Sequence, residues 1–334
     1  MPRIIPTIRA AAAAPIFQWL SQNEFSFDQF GDPGAYSFLI SDDPLQAVPL
    51  HSLASFLREL CQLKGPDLPT RIIQETGDVS LAMMAPVAFS ASSPGEAINI
   101  VGKALPYFSS HEHLMLERKK SYGVIRQFWG ATFDAETLHY LHQFTAALLE
   151  LFFIRYSTAD TSIREIEITP HPSKGLEILK DRFRSLLREG QNVLTLRVAN
   201  EALDAPIRTR DGAVQSPPPM PELDSLRGSG GLNGSVQVVL RAMLETGRPT
   251  LPKIAQVMGL SPRTFQRLLQ QEGTSFSTIL TEVRREAAAE WFELDEGTLR
   301  DLAMSLGYSH QSALTRAIRR WEGAPPRELV KGKR

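Results

Sequence analysis

Between Leu251 and Trp321 one pattern occurs twice, and it leaves this stretch little choice but paired helices. The first copy reads Ile254-Ala255-Gln256-Val257-Met258-Gly259-Leu260-Ser261-Pro262-Arg263-Thr264-Phe265-Gln266-Arg267-Leu268. The second begins forty-eight positions later: Leu302-Ala303-Met304-Ser305-Leu306-Gly307-Tyr308-Ser309-His310-Gln311-Ser312-Ala313-Leu314-Thr315-Arg316. In each, a small residue (Ala255 or Ala303) lets two helices approach closely. Four residues on, Gly259 or Gly307 can take the left-handed conformation that ends a helix sharply. Ser261 and Ser309 are then placed to accept hydrogen bonds from the free amides of the next helix. This is the grammar of a helix-turn-helix unit, and a fixed interval between two copies makes it a specific one.

The spacing predicts that the second helix of each unit protrudes. Arg263, Gln266 and Arg267 lie on the first of these, and Gln311, Ser312, Thr315 and Arg316 on the second. They are side chains suited to guanine and adenine edges in a major groove. Lys253, Arg284, Arg319 and Arg320 are candidates for phosphate contact, which positions a protein without carrying sequence information. Ala255, Phe265, Leu268, Ala303, Leu314 and Trp321 read as core and turn residues. A connecting helix with Ile279, Leu280, Val283 and Trp291 inward would set the separation of the two readers. Held rigidly, they would enter successive major grooves about 34 Å apart.

Charge is distributed to match. The 334 residues carry a net charge of −1, but residues 234–334 hold 15 Lys+Arg against 11 Asp+Glu, leaving 21 against 26 for the rest. The basic end is where a polyanion would bind. Cys61 is the only cysteine, which excludes an intrachain disulfide and a cysteine-based zinc finger and fits a reducing cytoplasm. The opening Met1-Pro2-Arg3 and the Ala10–Ala14 run have a signal-peptide flavour. Arg9 interrupts the apolar stretch and no cleavage pattern follows, so a helix is expected there. No run approaches the roughly 18 apolar residues that cross a bilayer, and no membrane partner is expected.

Before the repeat, the periodicities predict helices over 6–22, 49–63, 69–75, 92–108, 134–155 and 176–187, and a short strand or linker over 36–40. Strands are predicted over 113–117, 123–133, 163–169 and 192–198, the first two as a hairpin, with a helical turn at 200–204. These make a mixed α+β domain over 1–207. Residues 208–234 contain Ser216-Pro217-Pro218-Pro219 and Arg227-Gly228-Ser229-Gly230-Gly231, too poor in apolar side chains to offset the entropy of ordering, and read as a flexible tether. An all-α domain with two helix-turn-helix units follows over 235–334. Its helices are predicted over 235–245, 253–258, 262–272, 275–294, 299–306 and 310–322.

The doubled motif resembles the tandem helix-turn-helix domain of the AraC/XylS transcription regulators. The resemblance rests on Gly259-Leu260-Ser261-Pro262-Arg263, Glu272-Gly273-Thr274-Ser275-Phe276, Val283-Arg284-Arg285, and the run from Leu306 through Trp321 to Gly323-Ala324-Pro325-Pro326. It covers about the last hundred residues. Leu314 and Ile318 stand where the family usually has aromatics. The first domain is similar, more loosely, to the effector-binding domain of the ornithine-regulator-like branch, through Val48-Pro49-Leu50, Ser93-Pro94-Gly95-Glu96-Ala97 and Leu203-Asp204-Ala205-Pro206-Ile207. It does not look like the jelly roll of the arabinose regulator. The resemblance implies a sequence-specific regulator that binds double-stranded DNA, responds to a small-molecule effector, pairs as a homodimer, contacts RNA polymerase and activates more often than it represses.

For an effector site, Tyr107, Phe108, Arg126, Trp129 and Tyr140 form the candidate lining, aromatic walls with one charged anchor suiting a small anionic metabolite. On a regular strand Arg126 and Trp129 face opposite ways, so sharing a pocket requires a bulge or twist. His139 and His142 share a helix face, with His111 and His113 nearby in sequence. No acid or thiol joins them at metal-site spacing, and they read as ordinary surface or partly buried histidines. No Gly-x-Ser-x-Gly elbow or phosphate loop is present, so neither a cofactor nor an enzyme is expected. Two rivals remain: an architectural DNA binder without sequence preference, and an enzyme with a DNA-binding appendage.

Overall fold

The computed structural model describes residues 6–25, 30, 36, 39, 43–81, 91–158, 163–207, 226, 231–244, 249–258, 260–294 and 298–326. The chain opens not with the helix expected over 6–22 but with strand β1 (Thr7–Arg9), a 3-10 turn (Ala10–Ala13) and a shorter helix α1 (Ala14–Gln22). The reason is long-range. Strand β1 pairs antiparallel with β2 (Ala47–Pro49), and the Ala10 and Ala11 amides donate to the Gln46 and Pro44 carbonyls. The Thr7 amide donates to Ser110 Oγ at 2.8 Å. These partners outweigh the helix propensity of the alanines. Of the segment 36–40 only Tyr36 and Leu39 lie among the described residues.

Helices α2 (Leu50–Lys64) and α3 (Leu68–Thr76) follow, then α4 (Pro94–Phe108). Helix α4 starts where Ser93-Pro94-Gly95-Glu96 predicts. Ser93 Oγ accepts from the Glu96 amide, and the Glu96 carboxylate takes both the amide and the hydroxyl of Ser92. Strands β3 (Glu112–Arg118) and β4 (Tyr122–Trp129) form the expected hairpin, and α5 (Ala135–Tyr156) follows with Asp134 as its cap. Strands β5 (Ile163–Ile168), β6 (Leu186–Glu189) and β7 (Val193–Ala199) complete a sheet of order β3-β4-β7-β5-β6, and α6 (Asn200–Asp204) closes the domain. All pairs are antiparallel except β5–β6. The helix expected over 176–187 is only a 3-10 turn at Glu177–Leu179. Residues 186–189 instead extend alongside β5, where Arg188 Nε reaches the buried Glu165 carboxylate at 2.5 Å.

Helix α5 is buried nearly all round, which a helix wedged between two cores requires. Ala146, Ala147, Leu149, Phe152 and Phe153 join the core on the sheet, with Leu194, Leu196 and Val198. Tyr140 and Leu141 join a second core with α1, α2 and Val48.

That second core does not stop at the first domain. Helix α7 (Gly231–Leu244) begins four residues earlier than expected, inside the segment read as tether. Residues 208–225 and 227–230 lie outside the described residues. Helix α7 packs on β2 and on α10 (Phe276–Leu294), so apolar contact runs from Val48 and Leu50 through Val236 and Val239 to Phe265 and Leu314. Arg241 on α7 holds Glu286 and Glu290 of α10 at 2.7 and 3.1 Å. The remaining helices are α8 (Leu251–Val257), α9 (Pro262–Gln271), α11 (Leu299–Ser305) and α12 (Gln311–Glu322). An α+β domain is thus followed by an all-α domain. Among the described residues no helix is long and apolar enough to cross a membrane.

Candidate nucleic-acid interface

Helices α8 and α9 form the first unit. Ser261 caps α9 by accepting from the Thr264 amide at 3.2 Å, and Pro262 occupies the first turn, where its missing amide costs nothing. Phe265, Leu268 and Leu269 are buried, while Arg263, Gln266 and Arg267 are exposed on the opposite side. Lys253 on α8 is half-buried. The Gly259 turn lies outside the described residues.

Helices α11 and α12 form the second unit. Thr298 and Asp301 cap α11 reciprocally, and Gly307 takes the left-handed conformation the sequence predicts, with φ +70°. The Tyr308 amide donates to the Ala303 carbonyl at 2.8 Å, as the Leu260 amide does to Ala255. Beyond this point the copies differ. The cap of α12 is His310, not Ser309, and its side chain makes no capping hydrogen bond. The second turn is one residue longer, and the offset between copies becomes forty-nine. Leu314, Ala317 and Ile318 are buried where Phe265, Leu268 and Leu269 are. Arg316 therefore corresponds to Arg267, Thr315 to Gln266 and Ser312 to Arg263.

Gln311, Ser312, Arg316, Arg319 and Arg320 are exposed; Thr315 is half-buried, its hydroxyl donating to the Gln311 carbonyl at 3.0 Å. Among the described residues, Lys253, Arg263, Arg267, Arg316, Arg319 and Arg320 hold no ion pair. Cations left without a counter-charge on an exposed helix face are available to an anionic ligand. Arg241 and Arg285, by contrast, are tied to glutamates.

Arg284 does not belong with the phosphate candidates. Its Nε donates to the Leu306 carbonyl at 2.8 Å, and its guanidinium lies 4.4 Å from the centre of the Tyr308 ring. It fastens the connecting helix α10 to the second turn. Arg284→Ala is expected to lose about 2 kcal/mol of stability and to weaken binding to every duplex alike. Thermal unfolding beside a duplex titration checks this; loss confined to one base position would count against it.

A family profile described as a helix-turn-helix domain matches residues 254–332. Over 97 residues the chain is 38% identical to the HTH-type transcriptional regulator VirS of Mycobacterium tuberculosis, covering 29% of this chain and 28% of that protein. It is 31% identical over 78 residues to the ornithine utilization regulator of Pseudomonas aeruginosa, 23% of each chain. To GadX of Escherichia coli it is 33% identical over 79 residues, 24% of this chain and 29% of that one. The C-terminal domain of this chain is thus similar to the helix-turn-helix domains of AraC-type regulators. The matches span under a third of these relatives' length. The crystal structure of the regulator CdpR from Pseudomonas aeruginosa aligns over 96% of this chain and 98% of that one, at 16% identity and a TM-score of 0.45, too loose a likeness to build on.

The domain that precedes the AraC-type reader separates the residues expected to share an effector pocket. Tyr107 is 37% exposed, and Arg126 points outward to pair with Glu117 at 2.6 Å. Tyr140 is buried, donating to Glu136 and accepting from His171. Strand β4 pairs with β7 in unbroken register, so Arg126 and Trp129 stay on opposite faces. Only Phe108 and Trp129 of the five line a cavity of about 200 Å³ that lies between β1, α1, α2, α4 and α5. Sequence reading missed Ser109 and Leu141 in its wall; nothing in their local pattern marks them.

The four histidines are also divided. His113 stacks on Phe128, and His111 Nδ1 meets Ser110 Oγ at 2.7 Å. His139 and His142, expected at the surface or partly buried, are instead fully buried between helix α5 and the sheet edge at Thr169. His139 donates from Nδ1 to the Thr169 carbonyl at 2.7 Å and accepts at Nε2 from Gln143; His142 Nδ1 meets Thr169 Oγ1 at 3.1 Å, and its Nε2 has no partner. Burial holds both neutral, pushing His139 down to about 4 and His142 to about 3. Among the described residues no three metal-ligating side chains converge.

Proposed function

We propose that the protein is a sequence-specific DNA-binding transcription regulator whose first domain senses a small molecule. The observation that carries this is the pair Arg267 and Arg316, exposed at equivalent places on two helices of matching burial and unpaired among the described residues. Arginine at such a position can reach guanine O6 and N7 together, worth about 1–3 kcal/mol of discrimination. Arg263, Gln266, Gln311, Ser312 and Thr315 share the base-reading role, and Lys253, Arg319 and Arg320 hold phosphates.

The route from sensor to reader is physical contact. Ile8 and Arg9 of β1 line the cavity, β1 pairs with β2, and β2 packs on α7 of the reader. A ligand that fits one position of β1 better than another therefore shifts the population of reader arrangements. Pairing of two chains, contact with RNA polymerase and activation complete the reading, supported by the resemblance to regulators of this family.

Selection of duplexes from a random pool by the full chain tests it. An enriched sequence is expected, with Arg267→Ala and Arg316→Ala each losing preference at a few positions by about tenfold. Equal affinity for all duplexes would favour an architectural binder, and uniform loss would move these arginines to phosphate.

A further inference from the structure

The sheet of the first domain has two unlike faces. Ile166, Leu194, Leu196 and Val198 point into the core that α5 covers. The opposite face is open, and the strand register lays it out in rows. One row runs Met115, Arg126, Thr195, Glu167 and Arg188 across all five strands, and the next runs Glu117, Val124, Arg197, Glu165 and Leu186. Phe128, stacked by His113, begins a third with Val193. Among the described residues seven large apolar side chains are exposed, and three of them stand on this face: Met115 at 57%, Leu186 at 56% and Val193 at 36%. Exposed apolar groups gathered on one surface mark a place of association.

The charges on the face say what kind of partner fits. Arg126 holds Glu117 at 2.6 Å, Arg188 holds Glu165 at 2.5 Å, and Arg197 bridges Glu165 and Glu167 at 3.1 and 2.9 Å. Each guanidinium already meets a carboxylate, so the face offers a polyanion little. It is, however, complementary to itself. Strand β7 lies at the middle of the order β3-β4-β7-β5-β6, and Arg126 and Glu167 flank it in one row, as Met115 and Leu186 flank it at the two edges.

We propose that this face packs on the same face of a second copy, about a two-fold axis running along β7. The contact is isologous, with the sheets about 10 Å apart. The axis sets β3 over β6 of the second copy and β4 over β5. Met115 approaches Leu186 of the second copy, Arg126 comes over Glu167, and Val193 meets its own counterpart. The two Arg197 side chains also meet there, each held by two glutamates. An axis across the strands would instead set Glu167 over Glu165. The inference rests on the pairing of two chains in the reading above and gives that pairing a surface.

Sedimentation equilibrium of the full chain tests the surface, and cross-linking tests the axis. The native chain is expected to be a dimer. Met115→Asp and Leu186→Asp should each raise its dissociation constant at least tenfold with thermal unfolding unchanged, while Met304→Asp, on an exposed residue of the reader, should leave it within twofold. Cys61 is buried and is the only cysteine, so a bismaleimide of about 10 Å span joins only introduced thiols. A mixture of Met115→Cys and Leu186→Cys chains is expected to cross-link. Either variant alone is not, since like edges of the two copies lie about 19 Å apart across four strand spacings. A dimer untouched by both aspartates, or cross-linking of a single variant and not of the mixture, sinks this face and leaves the pairing. A native chain that sediments as a monomer sinks the pairing itself.

Discussion

Lowering the pH from about 7 to about 4 is expected to remove roughly 5 kcal/mol of stability from the sheet-bearing domain. His139 and His142 are held neutral by burial, below an ordinary value of 6.5. Above about pH 6.5 neither the folded nor the unfolded chain protonates them, and they have no effect on the equilibrium. As the pH falls below that value the unfolded chain takes up protons that the folded chain refuses. Stability then drops by up to about 1.4 kcal/mol per pH unit for each histidine until the folded values are reached. The hydrogen bonds explain the refusal. His139 Nε2 already accepts from Gln143, and a proton on His142 Nε2 would find no acceptor. Urea unfolding followed by fluorescence across this range checks the slope, and His142→Leu should flatten it by about one proton. A midpoint that does not move between pH 6.5 and 4.5 would show that these side chains are hydrated.

Phe265→Ala is expected to cost about 3–5 kcal/mol, enough to unfold the first helix-turn-helix unit and abolish duplex binding altogether. The ring is fully buried, meets Phe276 edge-on at 6.4 Å between centres, and sits in the core that α7 carries into the first domain. Arg267→Ala, two residues along the same helix, should leave thermal unfolding unchanged. The contrast separates a residue that holds the reader together from one that reads. If Phe265→Ala melted at the native temperature and still bound DNA, the first unit would be dispensable.

The doubled motif was legible because every part of its logic is local: a small residue, a glycine, a cap and an apolar stripe within fifteen positions. What could not be read locally was decided by distant partners. Thr7–Arg9 became a strand because residues 47–49 and Ser110 lie beside it, and Leu186–Glu189 because β5 offers an edge and Glu165 a counter-charge. The second cap moved from Ser309 to His310 because the turn holds one more residue, which the chain accommodates without disturbing Leu314, Ala317 or Ile318. The candidate effector residues failed to assemble for a related reason. Aromatic content marked Trp129, but which side chains meet it depends on helices up to 120 residues away in sequence, and Arg126 found Glu117 instead.

The correspondence across the longer turn shows that the two exposed helices share a scaffold but not a set of outward side chains. Where one presents arginine, glutamine and arginine at 263, 266 and 267, the other presents serine, threonine and arginine at 312, 315 and 316. With these side chains reading bases as proposed, a single chain would distinguish upstream from downstream, since its target flipped end for end would offer each helix the wrong letters. Orientation on the chromosome would then be written into one polypeptide, whether or not it pairs with another.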